Sequence, residues 1–393
     1  MRKIAILTLV FDNYGTRLQS YALTKKLKEI VSDDTVVEVI DIEGCWSNRG
    51  IKISKLVKDI IKSYGFKSVY KIFSFASYII ESRLINRQDH TIERQSRTKL
   101  FRNFVEKIPY TSKHYSCEDV RKGLLPDYDL VLVGSDQVWN GIKVGNQDIY
   151  MLDFLKGKKG ITYAASFGMT SIPQEMLPDY KKRINNFTSL LIREKEGVEL
   201  CEKIGRNDAK FVLDPTLLLK KDDYIPIISK DNLVDSDYIL VYSLNFSYKI
   251  FDEAFKLAKK NNAKMVVLKR SFCPPNVSKY KESVELYAVS VEGFLNLVNN
   301  AKCIVTNSYH ALLFSINFNR NFYLYLDNAD EENSRLLSIV NICNLEGYVY
   351  WETGSLPTQI SNIDYKGVNS ILDEYREQSI ELLKKSIEDY SNL

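Results

Sequence analysis

The chain holds three histidines, at positions 90, 114 and 310, and only His310 sits in a pattern that could use it. The stretch is Cys303-Ile304-Val305-Thr306-Asn307-Ser308-Tyr309-His310-Ala311-Leu312-Leu313-Phe314. Cys303 to Thr306 is apolar and β-branched, which predicts a short buried strand. Asn307 and Ser308 can cap a helix whose apolar positions run through Leu312, Leu313, Phe314 and Ile316. His310 then falls in the first helical turn, where backbone N–H groups have no partner inside the helix and the dipole is positive. Such a turn suits a phosphate or a carboxylate, and an imidazole there exchanges protons near neutral pH. The same position also suits a half-buried structural histidine with one hydrogen bond.

Other polar residues stand at the ends of apolar runs, where an open α/β sheet collects its ligands. Ile4 to Val10 is followed by Asp12, Asn13, Tyr14 and Gly15, with Gln19 one helical turn on. Tyr128 to Val133 runs into Gly134, Ser135, Asp136, Gln137, Val138, Trp139 and Asn140. Ile161 to Ala165 ends at Ser166, and Ser189 to Ile192 ends at Arg193-Glu194. The second half contributes Asn307, Ser308, Tyr309, His310 and Arg335. A guanidinium grips a carboxylate or a phosphate bidentately. Asp136, Gln137 and Asn140 around Trp139 combine acceptors, donors and a flat apolar face, the mixture a sugar requires. That run reads equally well as a turn, with Asp136 capping a helix and Trp139 packed. No phosphate loop, nucleophile elbow or HExxH occurs. No DxD stands at a strand end, so nothing demands a metal.

In order along the chain, these motifs resemble the polysaccharide pyruvyl transferases. The matching residues are Asp12-Asn13-Tyr14-Gly15 with Leu18-Gln19 and Tyr21-Ala22-Leu23, then Gly134-Ser135-Asp136-Gln137-Val138-Trp139-Asn140 and Ala165-Ser166-Phe167-Gly168. Arg193-Glu194, Asp214-Pro215-Thr216 and Thr306-Asn307-Ser308-Tyr309-His310 follow. The resemblance implies phosphoenolpyruvate as donor substrate, no further cofactor, and a hexose acceptor of a bacterial surface polysaccharide or its precursor. The product would be a cyclic pyruvate ketal. It implies His310 as the proton donor and Arg193 as the grip on the donor's anion. Asn13, Gln19, Asp136, Gln137 and Asn140 would meet sugar hydroxyls, and Trp139 or Tyr14 would stack. Some members carry an Arg two residues before the His, where this chain has Ser308. The anion then falls to Arg193, or to Arg320 or Arg335. The rival readings are a glycosyltransferase that uses a nucleotide sugar, and a non-catalytic relative in polysaccharide assembly.

The elements that must position these residues follow an α/β plan. The 393 residues exceed what one core usually holds. Near-continuous apolar runs predict buried parallel strands, with helices between them. The expected architecture is two Rossmann-like domains facing each other across a cleft, the GT-B-like arrangement. The expected boundaries are 1–215, with a basic, aromatic helical insertion at about 51–104, and 216–366. A helix over 367–393 would cross back to the first domain. An extended or turn-rich piece is expected near Asp89–Thr91.

Residues 51–104 read either as helices packed on their own domain or as a basic amphipathic surface touching an anionic membrane. A lipid-linked acceptor at the inner membrane face would suit the second reading. Six separated cysteines without CxxC argue against a zinc site or a disulfide framework. A net charge of +4 makes no case for nucleic acid. The short apolar start, interrupted by Asp12 and Asn13, reads as a strand rather than a signal peptide. A cytoplasmic protein is the expectation.

Overall fold

The structure, a computed structural model, describes residues 2–43, 90–142, 144–145, 147–244, 248–269, 279–326 and 333–392. The first sheet contains β1 (Lys3–Leu7), β2 (Val36–Val39), β3 (Leu130–Val133), β4 (Gly160–Thr162) and β5 (Phe187–Ser189), in the order β2-β1-β3-β4-β5. β6 (Leu191–Ile192) and β7 (Lys210–Phe211) pair separately. The second sheet contains β8 (Tyr238–Tyr242), β9 (Lys264–Leu268), β10 (Val284–Leu286), β11 (Cys303–Thr306), β12 (Phe322–Leu326) and β13 (Val349–Trp351). Its order is β10-β9-β8-β11-β12-β13. The strand pairs in both sheets are parallel.

These orders decide where a ligand can sit. Each sheet starts at one strand, winds outward to one edge, then crosses back to the other side. In the first sheet the reversal lies between β1 and β3. In the second it lies between β8 and β11. Loops leaving the carboxyl ends of such strands diverge to opposite faces and open a crevice. The polar strand ends read from sequence stand at both crevices.

Six helices matter to the site: α1 (Tyr14–Ile30), α2 (His90–Val105), α3 (Val291–Asn300), α4 (Tyr309–Asn317), α5 (Asn333–Ile342) and α6 (Tyr365–Ser391). Asn13 Oδ1 caps α1, accepting from Gly15 N at 2.9 Å. Ser308 Oγ caps α4, accepting from Ala311 N at 3.5 Å. Of the turn expected near Asp89–Thr91, His90 and Thr91 are helical, at the start of α2, and Asp89 lies outside the described residues. α2 packs Phe101 and Phe104 inward, fully buried. Residues 51–89 of the expected insertion lie outside the described residues.

Strand alternation sorts the core into three layers. Ala5, Leu7, Val131 and Val133 face one outer cluster, and Ile239, Val241, Met265 and Val267 face another. The alternate residues, Ile4, Ile6, Leu130 and Leu132 from β1 and β3 with Leu240, Val266 and Ile304 from the second sheet, belong to one continuous inner cluster. α6 closes the molecule, with Ser386 Oγ 2.7 Å from Ser189 Oγ and Tyr390 OH donating to Lys159 O at 2.9 Å. Among the described residues, no helix is long and apolar enough to cross a membrane.

Candidate active site

A cleft of roughly 640 Å³ opens between the two sheets at their carboxyl edges. Three helices point their N-terminal turns into it. Asn13 and Thr16 come from the start of α1, Ser308, Tyr309 and His310 from α4, and Asn333 and Arg335 from α5. Each turn brings the positive end of a helix dipole, so an anion gains from all three. Arg335, Arg97 and the exposed Arg94 add full positive charges to the walls.

His310 lies where the domains meet. The ring rests on Gly15, where an added Cβ would collide with Nδ1 and its ring neighbours, so only glycine fits opposite the imidazole. Its Nε2 is 3.9 Å from Asp214 Oδ2, and the side chain is 13% exposed. Burial pulls the imidazole pKa below its usual 6.5; Asp214 and Asp136 oppose that pull, while Arg193 and Arg335 add to it. The neutral ring therefore prevails near pH 7. That form accepts protons.

Asp136 and Gln137 form the facing wall. Asp136 lies in the left-handed region at φ 72, which aspartate tolerates. Its Oδ2 accepts from Thr16 Oγ1 at 3.3 Å and its Oδ1 from Gln137 N at 2.8 Å. With the Gln137 amide oxygen turned toward Arg335, the guanidinium nitrogens lie 2.8 and 3.1 Å away. Arg335 also lies over the Tyr309 ring, 5.5 Å from its centroid. Asn307 lines the cleft while holding the loop after β8, its Oδ1 accepting from Leu244 N at 2.7 Å.

Several sequence candidates lie elsewhere. Arg193 does not reach the cleft: its side chain is fully shielded, donating from Nη1 to Asp214 Oδ2 at 3.0 Å, with its guanidinium 4.5 Å from the Tyr309 ring centroid. A donor molecule cannot touch it, so the grip expected of Arg193 is corrected to support from beneath. Trp139 is wholly buried, with Nε1 donating to Tyr150 O and its ring against Phe167 and Phe187. Tyr14 is stacked on Phe294 at 4.7 Å and donates to Val289 O. Neither ring offers a face to a sugar. Gln19 is buried on Thr8, and Ser135 is buried with its hydroxyl on Asp214. Asn140 and Ser166 are buried behind the loop, each bonded to Gly168 backbone. Arg320 lies by Asn299, away from the cleft. These residues shape the turns that carry the cleft residues.

Sequence reading missed Arg97, and it did not show that Asp214 and Glu194, both within the motifs quoted above, would be buried. Arg97, one helical turn beyond Arg94, is packed 5.0–5.5 Å from the centroids of Phe101, Tyr287 and Tyr14. Their spacing was visible, but the direction in which α2 would face was not. Asp214 is fully buried. Burial opposes its charge, yet His310 and Arg193 outweigh that and hold its carboxyl below the usual 3.8. Glu194, also buried, accepts from Phe167 N at 3.0 Å, and burial raises its carboxyl above the usual 4.5.

Comparison with known proteins supplies the remaining context. The family model described as polysaccharide pyruvyl transferase matches residues 13–330. No curated protein matches the chain. Among solved structures, UDP-GlcNAc 2-epimerase of Methanocaldococcus jannaschii, in complex with UDP-GlcNAc and UDP, superposes with a TM-score of 0.50 at 12% identity, covering 95% of this chain and 93% of that one. The UDP-N-acetylglucosamine 2-epimerase of Rickettsia bellii gives 0.48 at 11% identity, over 100% and 96% of the two chains. The ADP-heptose lps heptosyltransferase II of E. coli gives 0.39 at 11%, over 96% and 99%. At such identities the likeness is one of fold: two parallel-sheet domains in the GT-B arrangement.

Proposed function

This chain belongs to the polysaccharide pyruvyl transferase family, and we propose that it moves the pyruvyl group of phosphoenolpyruvate onto two hydroxyls of a hexose in a surface polysaccharide or its precursor. The observation that carries this reading is the convergence of three helix N-terminal turns, Arg335 and His310 on one cleft. Phosphoenolpyruvate brings a phosphate and a carboxylate on three carbons. A cleft with several fixed positive ends suits both anions at once, and those ends also stabilise the departing phosphate.

The reaction balances without a redox partner. The donor's methylene carbon gains a proton and becomes methyl. Two acceptor oxygens form bonds to the central carbon as its bond to the phosphate oxygen breaks. Of the two hydroxyl protons released, one matches the proton gained by carbon and the other leaves on phosphate. His310, neutral near pH 7, takes a hydroxyl proton. Arg335, steadied by Gln137, holds the donor's anion. Asp136 and Asn307 offer polar atoms to the sugar.

Thermal shift tests the donor. At a hundred times its dissociation constant, a ligand adds about 2.7 kcal/mol of stability. Stabilisation by phosphoenolpyruvate and not by a UDP-hexose supports the reading; the reverse favours a nucleotide-sugar transferase. Phosphate release that depends on a hexose acceptor completes the test, and His310→Ala should slow it by roughly 10²–10⁴-fold. A lipid-linked acceptor would place the protein at the inner face of a membrane. The basic segment 51–104 is then the part to contact it, which binding to anionic vesicles at low salt would reveal.

A further inference from the structure

One nitrogen of His310 has no hydrogen-bond partner. Nε2 is shielded from solvent, makes no hydrogen bond, and points toward Asp214 Oδ2 at 3.9 Å. Asp214 is held in place from several sides. Its Oδ2 accepts from Arg193 Nη1 at 3.0 Å and Ser135 Oγ at 3.2 Å, and its Oδ1 from Thr216 N at 3.0 Å and Thr216 Oγ1 at 2.8 Å. Arg193 is pinned in turn beneath the Tyr309 ring.

The other nitrogen has a different setting. A Cβ on Gly15 would stand close to Nδ1, Cγ and Cε1 alike, so Gly15 lies over the face of the imidazole and not at its Nδ1 edge. An atom at the edge, along the lone pair, would be much farther from Cγ and Cε1 than from Nδ1. Gly15 therefore leaves the in-plane lone pair of Nδ1 uncovered, and the ring lines the cleft.

We propose that Asp214 is a positioning residue that holds His310 in the Nε2–H tautomer, so that Nδ1 is the nitrogen that removes the acceptor's proton. This rests on the pyruvyl-transfer reading for its reaction, though not for its geometry. The hydroxyl proton passes to Nδ1, and the freed O–H pair becomes the new bond to the carbon that loses phosphate. The leaving phosphate takes the broken C–O pair and then the proton from Nδ1. Throughout, Nε2–H faces a fixed carboxylate that stabilises the imidazolium, the logic of a base oriented by a third group. A closure of about 1 Å would bring the pair to hydrogen-bond distance. Asp214 and Asp136 favour the His310 cation, and Arg193 and Arg335 oppose it. Removing the Asp214 charge therefore moves the protonation of His310 to lower pH.

The test is nitrogen NMR of the full chain with ¹⁵N-labelled histidine rings. Only three histidines contribute, and the His310 signals are assigned by their loss in His310→Ala. Above neutral pH the wild type should show a protonated Nε2 and a bare Nδ1. Asp214→Asn should mix the tautomers, lower kcat by roughly a hundredfold, leave KM for phosphoenolpyruvate nearly unchanged, and move the acid limb of the pH profile downward. A protonated Nδ1 in the wild type overturns the proposal, as does an Asp214→Asn variant with unchanged tautomer and turnover. If that variant does not fold, the wild-type spectrum decides alone. Absence of phosphate release with every acceptor would remove the pyruvyl-transfer reading and leave the tautomer assignment to stand or fall on the spectrum.

Discussion

Arg335 and Arg193 carry the same charge and play different parts because one reaches the cleft and the other does not. Arg335 lines it and faces the Gln137 amide. Arg335→Ala should raise KM for phosphoenolpyruvate by roughly tenfold to a hundredfold, the worth of a charge-assisted hydrogen bond of about 1.5–3 kcal/mol. Arg335→Lys should recover only part of it, because an ammonium cannot reproduce a planar fork. Steady-state kinetics with donor varied checks both; an unchanged KM would remove Arg335 from the donor site. Proton handling gives a second prediction. Because burial lowers the His310 pKa, the protonated, inactive form of the base accumulates only below the usual 6.5. The acid limb of kcat/KM should therefore lie below that value, after allowance for the donor's own phosphate, which titrates near about 6. In kcat the limb should move upward, since a bound anion favours the imidazolium. An acid limb of kcat/KM above 6.5 would contradict His310 as the base.

At the scale of elements, Trp139 shows how a sound local reading can mislead. A tryptophan among Asp, Gln and Asn after a strand fits a sugar platform. In the fold, the turn after β3 buries the ring between Phe167 and Phe187 and keeps Asp136 and Gln137 on the cleft. Trp139→Ala should thus destabilise the protein by about 3–5 kcal/mol, and Trp139→Phe by less. Denaturant titration measures this; a stable Trp139→Ala protein with weakened acceptor binding would restore the platform. The strands were legible because parallel strands buried on both faces leave unbroken apolar runs, as in β3, β8 and β11. The α4 cap was legible because Ser308 and its helix are a local arrangement. What sequence could not supply was which polar strand ends face outward. Arg193 and Ser135 turn beneath the surface to hold Asp214, and Arg97 arrives from a helix far along the chain. Those facts belong to packing between elements, and no periodicity encodes them.

For the whole molecule, the site exists only while the domains hold register. His310 comes from the second domain and rests on Gly15 of the first. Domain interfaces within a chain are commonly polar and allow relative motion. Here the inner apolar cluster runs without a break from β1 and α1 of the first domain through α3 and α4 of the second to α6. Calorimetry should therefore give one unfolding transition with equal calorimetric and van't Hoff enthalpies; two resolved transitions would mean that the domains unfold independently. Tyr14 is a seam residue whose removal should expose this coupling. Its ring stacks on Phe294 at 4.7 Å and its hydroxyl donates to Val289 O at 3.0 Å. Tyr14→Phe loses only that hydrogen bond, about 1 kcal/mol, and should leave turnover near normal. Tyr14→Ala opens a cavity worth about 3–5 kcal/mol at the seam. Because the cavity lies one residue from Gly15, the imidazole loses its alignment with Asp214, and kcat should fall further than donor binding weakens. Equal losses in the two would indicate general softening of the fold, and a normal kcat would show that the register of His310 is set elsewhere.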